Sequence, residues 1–555
     1  IVIPETFTEG GKTYTVVAVG ANAFVDCKEL TSLSLPNTCV TINRNAFKGC
    51  SSLKNDPVPS TATTIGNAYL QGCSSITEVT VPAGVSGTFV SQNWEGMTSL
   101  KKITFADSST PFKMNLLAFT TDVTKASEDP IEEIYFGRDI DASLYANNQQ
   151  PFHNMKYLKK VTFGGGATAI SGTMLLGCTA LETVEFAQGN KIASIGASAF
   201  QGCTSLKSIA LPEAVKTVEA STFANCSSLN SVTLGSAVTS IGESAFKGTA
   251  LTGIALPATI TSIGGSAFKN SALAGEFTLP SGLTALGSEA LAGTALTGVV
   301  IPASLASIGD AALAPIATLA KIEVDGGNTA FKLENGVLLS ADGTRLLVTT
   351  HEKAGMPESY SNATVTSIDK YGLAYAPFKT VALPALTKIG DYGFAQSKLE
   401  SFTLESNVTV GLNVFNGSAL KSVVIAEGRN EISQGLFANC QSLTSVKLPN
   451  SATNMMKNCF DKCTSLKEME IPANVNYMEP GSVPSTIQTL RVLNVNTPAL
   501  AAGTFTADQS SVTCKVAENS VSAYKKASQW SYLNIVGDPS ISGVASNLGC
   551  PTGLY

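Results

Sequence analysis

One pattern dominates the chain. Leu-x-x-h-x-h-Pro, with h an apolar residue, returns at steps of mostly 21 to 25 residues, 23 being the commonest. Leu30–Leu33–Leu35–Pro36, Ile76–Val79–Val81–Pro82, Leu206–Ile209–Leu211–Pro212 and Leu443–Val446–Leu448–Pro449 are examples. Nineteen copies run from Leu30 to Leu490, behind an N-terminal half coil that ends at Ile3-Pro4. Between them lies a second block, h-Gly-x-x-Ala-Phe-x-x-Cys, as in Ile195-Gly196…Ala199-Phe200…Cys203. A unit this short cannot bury its own apolar face, so units must stack and share one continuous core. The last two apolar positions are two apart, which is strand spacing, and Pro or Gly then stops the strand. Successive strands run in one direction, which predicts a parallel sheet on one face and short helical turns or loops on the other. At ~4.8 Å per coil, about twenty coils predict an arc of roughly 95 Å. The Phe of the second block (Phe24, Phe47, Phe200, Phe223, Phe246, Phe268, Phe394, Phe415, Phe437, Phe460) is expected to form a stacked core spine opposite the sheet.

Composition narrows the function classes. Lys and Arg number 36 against 42 Asp and Glu, a net charge of −6. There is no basic excess to neutralise phosphates, which argues against nucleic acid and polybasic membrane docking. Charged residues make up only 14% of the chain, so Ser, Thr, Asn and Gly must cover the surface, as suits a β-rich repeat protein and not long salt-bridged helices. No stretch reaches the ~18–20 apolar residues of a membrane span, and the longest weakly polar run, Ala311 to Ala320, is broken by Pro315. The chain opens at Ile1 inside a repeat, and no leader segment is visible in it.

Two interruptions and a fading end define the expected organisation: a solenoid over 1–510, a C-terminal cap over 511–536 and a flexible tail or linker over 537–555. Long loops are expected at 107–130 and 137–157. A β-hairpin is expected at 331–349, around Ala341-Asp342-Gly343-Thr344, because Asp-Gly favours a tight hairpin turn. Val512 to Val516 reads as a strand and Ser520 to Gln529 as a short helix, with Trp530, Leu533 and Ile535 as apolar anchors. Asp56 stands where an apolar strand residue is expected, which predicts a distorted coil.

The blocks Ile241-Gly242-Glu243-Ser244-Ala245-Phe246 and Cys203-Thr204-Ser205-Leu206-Lys207-Ser208-Ile209-Ala210-Leu211-Pro212 resemble the BspA-like leucine-rich-repeat family. The opening Gly10-Gly11-Lys12-Thr13-Tyr14-Thr15-Val16, the hairpin residues Asn335-Gly336-Val337-Leu338 and the segment Ala523-Tyr524-Lys525…Trp530 resemble elements that accompany such repeats. The resemblance covers residues 1 to about 536 and implies a leucine-rich-repeat solenoid. It further implies a secreted or surface-attached bacterial protein, typical of gut and oral Bacteroidetes, with adhesion to host matrix proteins or other bacteria in some members.

The residues that carry chemistry point away from catalysis. Cys27, Cys50, Cys73, Cys178, Cys203, Cys226, Cys440 and Cys463 share one repeat position. Side chains stacked ~4.8 Å apart with parallel vectors fit a disulfide poorly, so a ladder of buried thiols is expected. Only Cys39, Cys459, Cys514 and Cys550 are left as bridge candidates. The two histidines, His153 and His351, are far apart in a fold where only neighbouring coils meet, and each reads as an exposed surface residue. Cys459-x-x-x-Cys463 alone is weak as a zinc site. Asp139-Ile140-Asp141 and Asp325-Gly326-Gly327-Asn328 offer oxygen ligands without calcium-loop spacing. Gly10-Gly11-Lys12-Thr13 lacks the upstream Gly of a phosphate loop, and Gly164-Gly165-Gly166 reads as a loop. Glu132-Glu133 and Glu468/Glu470 read as solvated strand positions. No enzyme, cofactor or metal is expected.

The exposed face of the sheet is more informative. It carries Ser, Thr, Lys and Glu at the outer coils. In the middle it becomes bare and weakly apolar, at Gly253, Ala255, Gly275, Gly298 and Val300, where a strand, peptide or sugar ring could lie. The rival site is the long-loop region, with Tyr135, Tyr145, Asn147, Asn148, Gln149 and Gln150. The expected function is a monomeric, non-enzymatic extracellular scaffold that binds a host matrix or cell-surface protein. The alternative is a glycan-binding accessory protein of a bacterial surface.

Overall fold

A computed structural model describes residues 1–86, 88–89, 92–114, 116–119, 129–141, 151–351 and 356–541. The chain is a parallel β-solenoid of about 21 turns of roughly 23 residues with little helix. It divides into two compact units. One holds Ile1–Ala295 and Ser307–Ala312, and the other holds Leu296–Ala306 and Leu313–Tyr555.

In the first unit, Glu78–Val81, Lys102–Phe105, Glu133–Phe136, Lys160–Phe163 and Thr183–Phe186 form one five-stranded parallel sheet. The pairing is in register, with Val79 opposite Ile103, then Ile134, then Val161. Each apolar strand residue therefore sits on its counterpart one coil away, and each outward residue does the same on the other face. A second parallel ladder, from two residues per coil, runs through Thr217–Val218, Ser240–Ile241, Ser262–Ile263, Ala285–Leu286 and Ser307–Ile308. The spine is present: Phe200, Phe223, Phe246 and Phe268 stack at 5.4–5.6 Å within 12° of parallel. All ten spine rings are buried except Phe24, which is partly exposed.

The coil at Leu53 departs from the pattern. Residues 54–57 form no strand, and two polar side chains take over the ladder's work. Asn55 bonds both peptide groups of Leu33, at 3.2 and 2.8 Å, and the Asp56 carboxylate accepts from Thr80 N (2.9 Å) and Val58 N (3.1 Å). Burial pushes the Asp56 carboxyl up to about 6.

In the second unit Ser401–Leu404, Ser422–Ile425 and Ser445–Lys447 form one parallel sheet, and Glu468–Ile471, Thr489–Val492, Thr513–Val516 and Asn534–Gly537 form another. Phe394, Phe415, Phe437 and Phe460 continue a spine at 5.2–5.3 Å. The segment 331–349 holds three strands where the sequence suggested two. Asn335 and Gly336, both at positive φ (51° and 78°), turn Phe331–Glu334 onto Val337–Ser340. Asp342-Gly343 then turns that strand onto Arg345–Thr349, which pairs in parallel with Ser367–Ile368.

Beyond Thr513–Val516 the chain forms the helix Val521–Lys526 and the strand Asn534–Gly537. Tyr524 and Trp530 are buried there at 79° to each other, and Trp530 Nε1 donates to Pro498 O at 2.9 Å. We propose that this segment serves as the cap foreseen at 511–536. Of the expected tail 537–555, residues 542–555 lie outside the described residues. Ile541 is buried, and Arg491 bonds Ser540 at 3.1 Å.

Candidate functional site: the sheet face

Strand alternation sends one residue in two outward, and in-register stacking turns those residues into lanes. The lane just after the repeat Leu carries charge of alternating sign. In the first unit Glu132 lies 2.8 Å from both Lys101 and Lys159, and Lys160 reaches diagonally across the strands to Glu185 at 2.8 Å. The two lysines hold the Glu132 carboxyl down at about 2. In the second unit Lys379 pairs with Glu358 at 2.5 Å and Lys421 with Glu400 at 2.8 Å. Glu470 likewise pairs with Arg491. Of the carboxylates expected to be merely solvated, Glu132, Glu133 and Glu470 are thus tied into cross-coil pairs, whereas Glu468 stays exposed. The reason is register: like charges stacked at strand spacing would repel, and alternation removes the repulsion.

The strip expected to be bare is only partly so. Gly253 and Ala255 are exposed, and a Cβ on Gly253 would meet open space. Gly275 is half-buried with φ +76° and open space above it. Gly298 is buried and Val300 half-buried, so the expectation fails at these two. They face Lys321 and Glu323 in register, whose long side chains pair at 2.7 Å. Long neighbours of this kind cover a glycine.

At the rival site, Tyr145, Asn147, Asn148, Gln149 and Gln150 lie outside the described residues. Tyr135 is half-buried. Its hydroxyl donates to the Asp107 carboxylate (3.1 Å), and a Cβ on Gly164 would lie 2.2 Å from the Tyr135 oxygen. The ring is therefore fixed against the next coil, with its polar tip already engaged. The segments read as long loops also contain strands: Phe112–Met114 pairs with Thr88–Phe89 and with Ile140–Asp141. Arg138, 1% exposed, donates to Ala106 O (3.1 Å), Val85 O (2.8 Å) and Pro82 O (2.7 Å). Its guanidinium thereby gives donors to buried carbonyls of earlier turns. Sequence reasoning missed this arginine because nothing local marks it.

The other candidate groups are engaged in structure. His351 is half-buried, not exposed: it rests on the Tyr375 ring (5.0 Å) with Nδ1 2.5 Å from Ala317 O, and burial lowers its pKa. His153 is also only partly exposed. The Tyr375 ring covers part of the His351 imidazole. Asp139 accepts from Thr168 N and Oγ1 and from Ala169 N at 2.5–2.9 Å. Asp325 accepts from Gly327 N at 2.8 Å. Among the described residues no three His, Cys, Asp or Glu converge as metal ligands would. The described cysteines are free thiols, Cys39, Cys459 and Cys514 included, and all but Cys27 are buried. Those three sit in separate coils, each inside the core. Cys550 lies outside the described residues. In the ladder, Cys178, Cys226 and Cys440 donate to the carbonyls of Phe152, Phe200 and Phe415 one coil earlier, at 3.0–3.1 Å. Burial pushes the thiols of Cys178 and Cys226 up to about 12.

Two features of the second unit's sheet face stand out. The first is a lane of exposed hydroxyls, Ser359, Thr380, Ser401, Ser422 and Ser445, in which Ser359 faces Thr380 and Ser401, Ser422 and Ser445 follow in register. The second is a break in the sheet. Ser359–Ser361 pairs with Thr380–Ala382, and Ser401–Leu404 pairs onward with Ser422–Ile425, but the two pairs belong to different sheets. Glu400 N still bonds Lys379 O at 2.9 Å, and beyond that point no backbone hydrogen bond joins 380–384 to 401–405 among the described residues. The result is a wedge with a cavity of about 580 Å³. Val381, Leu383 and Phe402, which occupy core positions of the repeat, are only partly buried on its floor. Phe402 packs at 52° against both Phe394 and Phe415. The sequence signal was available: most other coils hold a smaller aliphatic residue, such as Ile209, Val232 or Val423, where this one holds Phe402.

The model of the BspA type leucine rich repeat region matches the chain in six copies, over residues 13–128, 138–251, 193–320 and 387–497. Solved structures are similar to it as well. A leucine-rich repeat protein from Eubacterium ventriosum is 22% identical over 60% of this chain and 84% of that one, with a TM-score of 0.43. One from Bacteroides ovatus is 17% identical over 97% and 91%, at 0.24. The pneumococcal vaccine antigen PcpA is 16% identical over 83% and 94%, at 0.30. No curated protein matches the chain. With most of its length matched by that one repeat model, the chain belongs to the BspA-type leucine-rich repeat family.

Proposed function

We propose that this chain is a non-enzymatic binding scaffold, displayed on or released from a bacterial cell, that holds a protein partner against its sheet face. The observation that carries the reading is the hydroxyl lane Ser359, Thr380, Ser401, Ser422 and Ser445. These side chains are exposed, repeat at strand spacing and make no side-chain hydrogen bond within the described residues. Short hydroxyls lose little rotamer freedom on contact, so a pre-ordered row of them suits multi-point recognition, where affinity depends on preorganisation and not on one deep pocket. Family membership supports a surface or secreted setting, and no described helix is long and apolar enough to cross a membrane.

The test is a pull-down against purified host matrix proteins beside a glycan array, with the full chain and with S401E/S422E. Matrix-protein capture that falls at least about tenfold in the variant, with an unchanged melting temperature, is the expected result. Capture that ignores the two carboxylates overturns the assignment to this face. Glycan hits without protein capture would replace the reading with the glycan-binding one, for which the half-exposed Tyr157 is the aromatic surface at hand.

A further inference from the structure

We propose that the wedge between Thr380–Pro384 and Ser401–Glu405 is a docking slot for an extended polypeptide segment that drops one aliphatic or aromatic side chain onto Val381, Leu383 and Phe402. The proposal rests on the sheet face being the binding surface and names where on it, and by what chemistry, a partner is held.

Three observations converge on this occupant. The parallel ladder stops here, so backbone N–H and C=O groups along both lips lack the partners that Ser401–Leu404 finds on its other side in Ser422–Ile425, through four paired residues. Such groups are satisfied best by another peptide backbone, which supplies donors and acceptors alternately at the same spacing. The floor is apolar at positions that are buried in most other coils: Ile209 and Val232 are 4% and 8% exposed, whereas Val381 and Phe402 are only partly buried. A cavity of about 580 Å³ has room for a Leu or Phe side chain and part of its backbone. The rim is neutral, formed by Ser361, Thr403 and Ser422, with Val424 40% exposed beside them and Glu405 at the wide end. A lipid or apolar small molecule would cover the floor but leave the lips unpaired. The backbone deficit is what selects a peptide.

The experiment uses the full chain and three fluorescein-labelled, end-blocked seven-residue peptides. The first is a Thr-rich strand former with a central Leu. The second carries Asp in place of that Leu, and the third keeps Leu but has N-methylated peptide bonds on either side of it. Anisotropy gives affinity, and hydrogen exchange followed by mass spectrometry gives location. The Leu peptide is expected to bind and to slow exchange in 380–384 and 401–405. The Asp and N-methyl peptides are each expected to bind at least about tenfold more weakly. A382W, at an exposed position on the lip, should block binding, and A210W, at the equivalent exposed position of a coil in the first unit, should not. Equal binding of the N-methyl and Leu peptides shows an ordinary apolar pocket and overturns the proposal. Protection elsewhere on the sheet face overturns the slot while leaving the scaffold reading in place. No protection anywhere on the face removes both.

Discussion

The coils come in two lengths at one turn, and the difference shows how the stack absorbs a missing residue. In the long form the aromatic-position residue is followed by x-x-Cys-x-x-Leu, as at Cys226-Ser227-Ser228-Leu229. The thiol reaches back one coil, Cys226 Sγ to Phe200 O at 3.0 Å. The next N–H often closes a tight turn in its own coil, as Ser51 N does on Gly49 O and Gln441 N on Asn439 O, both at 2.8 Å. In the short form Cys becomes Ser or Thr and one residue is gone, as at Thr249-Ala250-Leu251, Ser271-Ala272-Leu273 and Ser418-Ala419-Leu420. Now the hydroxyl can fold back within its own coil, Thr249 to Phe246 O at 2.9 Å and Thr294 to Leu291 O at 2.8 Å. The backbone makes the cross-coil link instead: Ala272 N to Thr249 O (3.1 Å) and Ala419 N to Ser397 O (2.9 Å). A side-chain bond between coils has been exchanged for a main-chain one.

The comparison can be attacked first where both forms should behave alike. F223A, in a long coil, and F246A, in a short one, each remove a buried ring from the same stack, so each should cost about 3–5 kcal/mol in urea unfolding. A clear inequality would mean that the two forms differ in their cores and not only at the turn. A sharper test couples the two changes. C226T together with deletion of Ser228 rebuilds a long coil as a short one, and should be more stable than the sum of the two single changes predicts, by about 1–2 kcal/mol in a double-mutant cycle. Strict additivity would show that thiol and loop length are unrelated.

Alkali should separate the forms by chemistry. The Cys178 and Cys226 thiols are held protonated to about 12, against 9.0 for a free thiol. Between those limits the folded chain keeps protons that the unfolded chain has released, so stability must fall as pH rises above about 9. Each such thiol contributes up to about 1.4 kcal/mol per pH unit. Unfolding midpoints measured from pH 8 to 11 should steepen accordingly, and C178A/C226A should flatten the curve. The smallest effect belongs to the short form alone. T249V keeps the shape, loses the bond to Phe246 O and should cost about 1 kcal/mol by thermal unfolding.

Much of the fold was legible because repetition fixes neighbours. Once Phe200 and Phe223 are seen 23 residues apart, their stacking follows from the coil period, and the same reasoning identified the buried thiols. The binding face was legible as a face but not in detail. Gly298 read as bare because it has no side chain, yet Lys321 and Glu323 of the next coil decide its exposure. Asp56 announced a disturbed coil, but that Asn55 and Asp56 would stand in for the ladder depended on peptide groups of Leu33 and Thr80.

By itself, then, the sequence determined the coil and the register of most copies, since a near-constant period brings equivalent residues together; at Leu490, read as a leading residue, the structure instead places it opposite Met469 within the strand. Only the tertiary structure decided where that order fails. The buried Arg138, the alternating ion pairs and the open wedge beside Phe402 each depend on side chains and backbone groups contributed by adjacent coils. Those balances are struck between coils, and no single repeat encodes them.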